Sequence, residues 1–124
     1  MNSKRPINLD LFAFQFPLSA KASILHRVSG IAMFVAIAFA LYALAASLES
    51  EQSFNDLKAL FDNGIAKFIT WGILTSLAYH AVAGVVHILA EFGIADGKES
   101  GRKAAIFSMS TGVILAVLAG VWVW

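Results

Sequence analysis

Residues 28–48 read VSGIAMFVAIAFALYALAASL, a run of 21 residues without a charge. A hydrocarbon core is crossed by roughly 20 helical residues, so this run is long enough to span a membrane once. Helix is the form open to it there, because lipid offers no partner to the N–H and C=O groups of a sheet edge. Two further stretches repeat the pattern. Residues 67–91, KFITWGILTSLAYHAVAGVVHILAE, hold only the titratable histidines His80 and His87 between their charged ends, and residues 104–124 again carry no charge.

The composition agrees. The 124 residues are 59% hydrophobic and 14% charged, with a mean hydropathy of +0.75, whereas a soluble domain carries about 25% charged residues. The absence of cysteine excludes disulfides and a cysteine-ligated iron–sulfur cluster built from this chain alone. A net charge of +1 gives no basis for nucleic-acid binding. The N-terminus lacks the apolar core of a secretory signal. It is also not an Arg/Ser-rich, acid-free transit peptide, which favours a bacterial origin over an organellar one.

Charge placement predicts the topology. Lys4, Arg5, Lys21 and Arg27 precede the first run, and Lys98, Arg102 and Lys103 separate the second from the third. Between the first and second stand Lys58 and Lys67 beside Glu49, Glu51, Asp56 and Asp62. The positive-inside rule then puts the N-terminus in the cytoplasm and the C-terminus in the periplasm, with Trp71, Trp122 and Trp124 near the outer boundary. Ser19, after Phe12, Phe14, Phe16 and Pro17, is placed to cap a helix beginning near Ala20. Phe54, Leu57 and Phe61 fall on one face of a short interfacial helix. The expected fold is an all-α integral membrane protein with three transmembrane helices, contributing to a multi-subunit helix bundle. It is one anchor domain, 1–124: an interfacial arm 1–21, spans 22–48, 66–93 and 104–124, a periplasmic loop 49–65 and a cytoplasmic loop 94–103.

Counting at ~1.5 Å per residue, His80 lies near mid-membrane, about 20 Å from Lys67 and about 16 Å from Glu91. A titratable group at that depth needs a partner. It is either a neutral imidazole bonded to a carbonyl or to Ser76, or an axial haem ligand, with Gly84 one turn on leaving room for a macrocycle. The first and third runs hold no imidazole level with it, so a second ligand would come from another chain. His87, two turns nearer the cytoplasm, is a second haem-vicinity candidate or an interfacial residue. Ser23 and Arg27 share a helical face with His26 beside them. Either Arg27 snorkels to lipid phosphates while Ser23 bonds back to its helix, or the group binds an anion or carbonyl, such as a haem propionate or a quinone oxygen.

These residues fall in a known pattern. Arg5-Pro6, Ser23, His26-Arg27 and Ser29-Gly30, followed by His80, Gly84, His87 and Gly93, closely resemble the two motifs of the larger cytochrome b membrane anchor of bacterial succinate dehydrogenase, respiratory Complex II. The likeness covers nearly the whole chain. Three positions depart from it: Val86 stands for an arginine, Ala90 for an aromatic residue and Glu91 for an aspartate. The resemblance implies that succinate is oxidised on a flavoprotein subunit, not on this chain, and that an iron–sulfur subunit passes electrons to ubiquinone at the cytoplasmic membrane face. It implies a smaller hydrophobic sister subunit sharing one haem b, a bacterial inner-membrane location and lipid surroundings. It makes His80 an axial ligand to haem iron, Ser23 and Arg27 quinone-site residues, and His26 and Arg27 neighbours of the haem propionates. With Val86 in the arginine's place, Arg27 or a base on another subunit supplies positive charge there. Alternative readings are the anchor of a fumarate reductase, or a haem-free anchor or assembly protein. A transporter is disfavoured, since His80 and His87 are the only titratable groups deep in the spans and no broken helix pair is evident.

Overall fold

A computed structural model describes residues 7, 9–10 and 12–124; the motif residues Arg5 and Pro6, with Lys4, lie outside them. Four helices follow in order: α1 (Leu18–Glu49), α2 (Glu51–Phe61), α3 (Gly64–Glu91) and α4 (Lys98–Val123). α1, α3 and α4 are each long and apolar enough to cross a membrane, and no strand occurs among the described residues.

The arm ends in a turn in which the Phe12 amide donates to Asp10 Oδ1 at 3.1 Å. α1 then starts earlier than expected: the N-cap is Pro17, and Ser19 lies inside the first turn instead of capping it. Proline suits this position because it lacks an N–H and its ring fixes φ; here φ is −61°. At the other end, Ser50 and Ser53 form a reciprocal capping box that starts α2. Ser53 Oγ also donates to the Ala46 carbonyl at 2.6 Å, fastening α2 to the end of α1. The short helix expected around Phe54, Leu57 and Phe61 is therefore formed. Asn63 caps α3, its Oδ1 accepting from the Ile65 amide at 2.9 Å.

α3 ends in a Schellman motif. The Gly93 amide donates to the Ala90 carbonyl and the Ile94 amide to the Leu89 carbonyl, each at 3.0 Å. Gly93 adopts φ +80°, a conformation that a Cβ disfavours. α4 begins at Lys98, ahead of the span expected from residue 104, because charged residues continue a helix readily beyond the apolar core. Lys103 and Glu99, one turn apart, pair at 2.9 Å on this extension.

Contacts set α1 and α4 each antiparallel to α3. From one end of α3 to the other, Trp71 meets Ala116 and Gly120 while Tyr79 meets Gly112. His80 meets Gly30 and Gly84 meets His26. The helices close on small side chains: Ala22, Ala83 and Ala105, one from each long helix, are the buried apolar residues among those described. Close approach over small residues is how helices associate in lipid, where apolar burial between helices gains little.

Candidate functional site

The three histidines converge. The His26 ring, on α1, stacks on the His80 ring of α3 with centroids 4.1 Å apart and planes 15° from parallel. His87, two turns along α3, meets His26 edge-on at 5.1 Å. This revises the expectation that no imidazole on another span is level with His80. The uncharged run begins at residue 28, whereas α1 begins at Leu18 and so carries His26 well inside the helix. The stacked pair does not bracket a macrocycle, because rings in face contact leave no gap for one.

Two glycines make the stack possible. A Cβ on Gly30 would come within 3.1 Å of His80 Cε1, and one on Gly84 would lie 3.4 Å from His26 Nε2. The space beside Gly84 is thus filled by His26, not left open for a flat cofactor as expected. Ser76 does not hold His80 either. His80 Nδ1 lies 3.1 Å from the His26 carbonyl and 3.1 Å from Ser29 Oγ. Ser29 is buried and already donates its own proton to that carbonyl at 2.7 Å. A carbonyl only accepts, so Nδ1 carries the proton and Nε2 keeps its lone pair. An imidazole held in this way, with Nδ1–H on a carbonyl, is in the tautomer that ligates metal through Nε2. His80 therefore fits an axial ligand of haem iron, though the hydrogen-bonded imidazole reading is also met.

Beside the stack lies a cavity of about 620 Å³. α1 gives it Ser23, His26 and Arg27; α3 gives Val86, His87 and Glu91; Asp96 and Ser108 come from the following connection and α4. His80 does not line it, so His26 stands as a partition between His80 and the cavity. Ser29, Ser47 and Ser108 bond back to their own helix, but Ser23 makes no such bond among the described residues. Arg27 is exposed and takes no part in the ion pairs of the described residues, which are Lys67–Asp62 and Lys103–Glu99. Arg27 thus stays unpaired although Glu91 and Asp96 share its cavity. His26 Nε2 is buried without a hydrogen-bond partner. Such an atom costs about 1–3 kcal/mol while it stays unsatisfied.

Two contributors act through bonds that the sequence does not show. The Tyr79 hydroxyl donates to the Ala22 carbonyl at 2.8 Å, and Ser29 meets His80 across the helices. The available clue was adjacency: Tyr79 precedes His80, and Ser29 precedes Gly30.

Fold and site together define a class: a multi-pass helical membrane protein with polar residues gathered between its spans at one end of the bundle. The succinate dehydrogenase/fumarate reductase transmembrane subunit model matches residues 1–120, and the chain belongs to that family. It is similar to the succinate dehydrogenase cytochrome b556 subunit of Coxiella burnetii, with 38% identity over 100% of both chains. The corresponding subunit of Paracoccus denitrificans is 28% identical over 92% of this chain and 88% of its own. The succinate dehydrogenase cytochrome b560 subunit of Porphyra purpurea is 34% identical over 71% of this chain and 72% of its own.

Proposed function

We propose that this chain is the larger membrane anchor of a succinate:quinone oxidoreductase. It holds one haem b through His80 jointly with a smaller sister anchor, and it forms part of the site where ubiquinone receives electrons from the iron–sulfur subunit. The flavoprotein subunit carries succinate oxidation, and the complex resides in the bacterial inner membrane with the cavity end toward the cytoplasm. Family membership supports the assembly, and relatives named as cytochrome b subunits support the haem.

The observation that carries the reading is the hydrogen bonding of His80. Nδ1–H is directed at the His26 carbonyl and Ser29, which leaves Nε2 as the ligating atom. A haem bound there supplies one-electron storage beside the electron path. In the neighbouring cavity, the Ser23 hydroxyl and the Arg27 guanidinium are the groups that would donate hydrogen bonds to a quinone oxygen, Arg27 favouring the negative charge that develops there on reduction. Positive charge opposite a haem propionate also falls to Arg27, since Val86 lines the cavity where the family pattern has an arginine.

A second reading, a haem-free anchor, draws on the same bond, because His80 is already satisfied within the chain. One experiment separates the two: reduced-minus-oxidised spectra with haem quantification on the purified intact complex. One haem b per complex, lost or strongly shifted in His80→Leu, is the expected result; a complex without haem, or an unaltered spectrum in the variant, overturns the assignment.

A further inference from the structure

Tyr79 ties all three spans together beside the candidate quinone cavity. Its hydroxyl donates to the Ala22 carbonyl of α1 at 2.8 Å. Its ring lies against α4 so closely that a Cβ on Gly112 would come within 2.8 Å of Cδ2. In an α-helix the Ala22 carbonyl also accepts from the amide four residues on, which is His26. Tyr79 therefore adds a second donor to the carbonyl at the foot of the turn that carries Ser23, His26 and Arg27.

We propose that Tyr79 is a positioning residue for quinone binding: it fixes the Ala22–Arg27 turn against α3 and α4 and thereby sets where Ser23 and Arg27 stand in the cavity. The inference rests on the quinone reading above and deepens it. The geometry divides the labour within one side chain. The ring, seated over Gly112, supplies packing, and the hydroxyl supplies register. Ala22 itself is buried and lines the cavity next to Ser23, so a shift of its carbonyl moves the cavity wall directly. Nothing else among the described side chains bonds to that carbonyl.

The test uses the intact purified complex with a short-chain ubiquinone. Tyr79→Phe keeps the ring and removes the hydroxyl. KM for the quinone should rise about three- to tenfold, the worth of one ordinary hydrogen bond, while kcat stays within about twofold and haem per complex is unaltered. Gly112→Ala, which displaces the ring instead, should raise KM in the same direction. A purely structural tyrosine would lower the yield of assembled complex and leave the KM of the surviving molecules unchanged; that outcome overturns the proposal, as does no change at all. Arg27→Leu runs in parallel. If it alters quinone kinetics and Tyr79→Phe does not, only the role of Tyr79 falls. If Arg27→Leu has no effect on quinone kinetics, the quinone reading falls and this proposal with it.

Discussion

Arg27 is exposed at the candidate site and takes part in no ion pair among the described residues. It borders a cavity shared with Glu91 and Asp96, yet pairs with neither. A guanidinium kept from available carboxylates remains free to meet an oxygen of an incoming molecule in its fixed fork. Arg27→Leu should therefore lower quinone-linked turnover by on the order of a hundredfold, the scale seen when a donor to a developing oxyanion is removed. The ratio of quinone-linked to dye-linked succinate oxidation measures this. Arg27→Lys should fall between, keeping charge but not the fork, and an unchanged ratio in the leucine variant would remove Arg27 from the site. At this scale the sequence offered candidates and was poor on how they meet. His80, Ser23 and Arg27 stand out by type and depth. The stacking of His26 on His80 does not, because it depends on how far α1 slides past α3, and that is set by Gly30 and Gly84 receiving the rings, not by hydropathy.

Elements follow a similar division. Three spans could be read from apolar runs, since lipid admits little else, and α2 from the helical spacing of Phe54, Leu57 and Phe61. Their ends could not, because capping is decided by one or two residues. Pro17 took the position expected for Ser19, and the polar stretch 98–103 continued α4 instead of forming a loop. The α3–α4 connection was legible least of all. It turns through two left-handed residues, Gly93 at φ +80° and Ala95 at φ 70°, and so carries Asp96 to the cavity wall. Gly93 has nothing within 4 Å of a built Cβ, so a substitution there is opposed by backbone conformation, not by crowding. Gly93→Ala should accordingly cost about 1–2 kcal/mol and lower the temperature at which the purified complex loses quinone-linked activity. Gly93→Asn should be milder, because asparagine tolerates this conformation. Equal losses in both variants would mean that the glycine serves an approach by another subunit instead.

Across the whole molecule, the spans bury very little of themselves. Phe34, Phe39 and Tyr42 on α1 are 80%, 69% and 76% exposed, surfaces that lipid or neighbouring subunits cover. What holds the bundle is a narrow seam of small residues and a few cross-helix bonds: Trp71 Nε1 to the Ala116 carbonyl at 2.8 Å, Tyr79 to Ala22, and the Ser29–His80–His26 knot. A seam this thin places the polar site and the packing in the same few ångströms, so the two are coupled. Ala83 shows how tightly. It is 2% exposed, lines the cavity, and lies one turn from both Tyr79 and His87 on α3. Ala83→Leu should overfill the seam at a cost of about 1–3 kcal/mol, a strain that spreading α1 from α3 relieves. That motion separates His26 from His80 and frees Nδ1 from its carbonyl. Haem content should thus fall together with quinone-linked turnover in the purified complex. Val113→Leu, which enlarges an exposed side chain on α4, serves as the control and should leave both intact. If Ala83→Leu lowers turnover with the haem spectrum unchanged, the cavity and the histidine stack are mechanically independent, and the seam does not couple them.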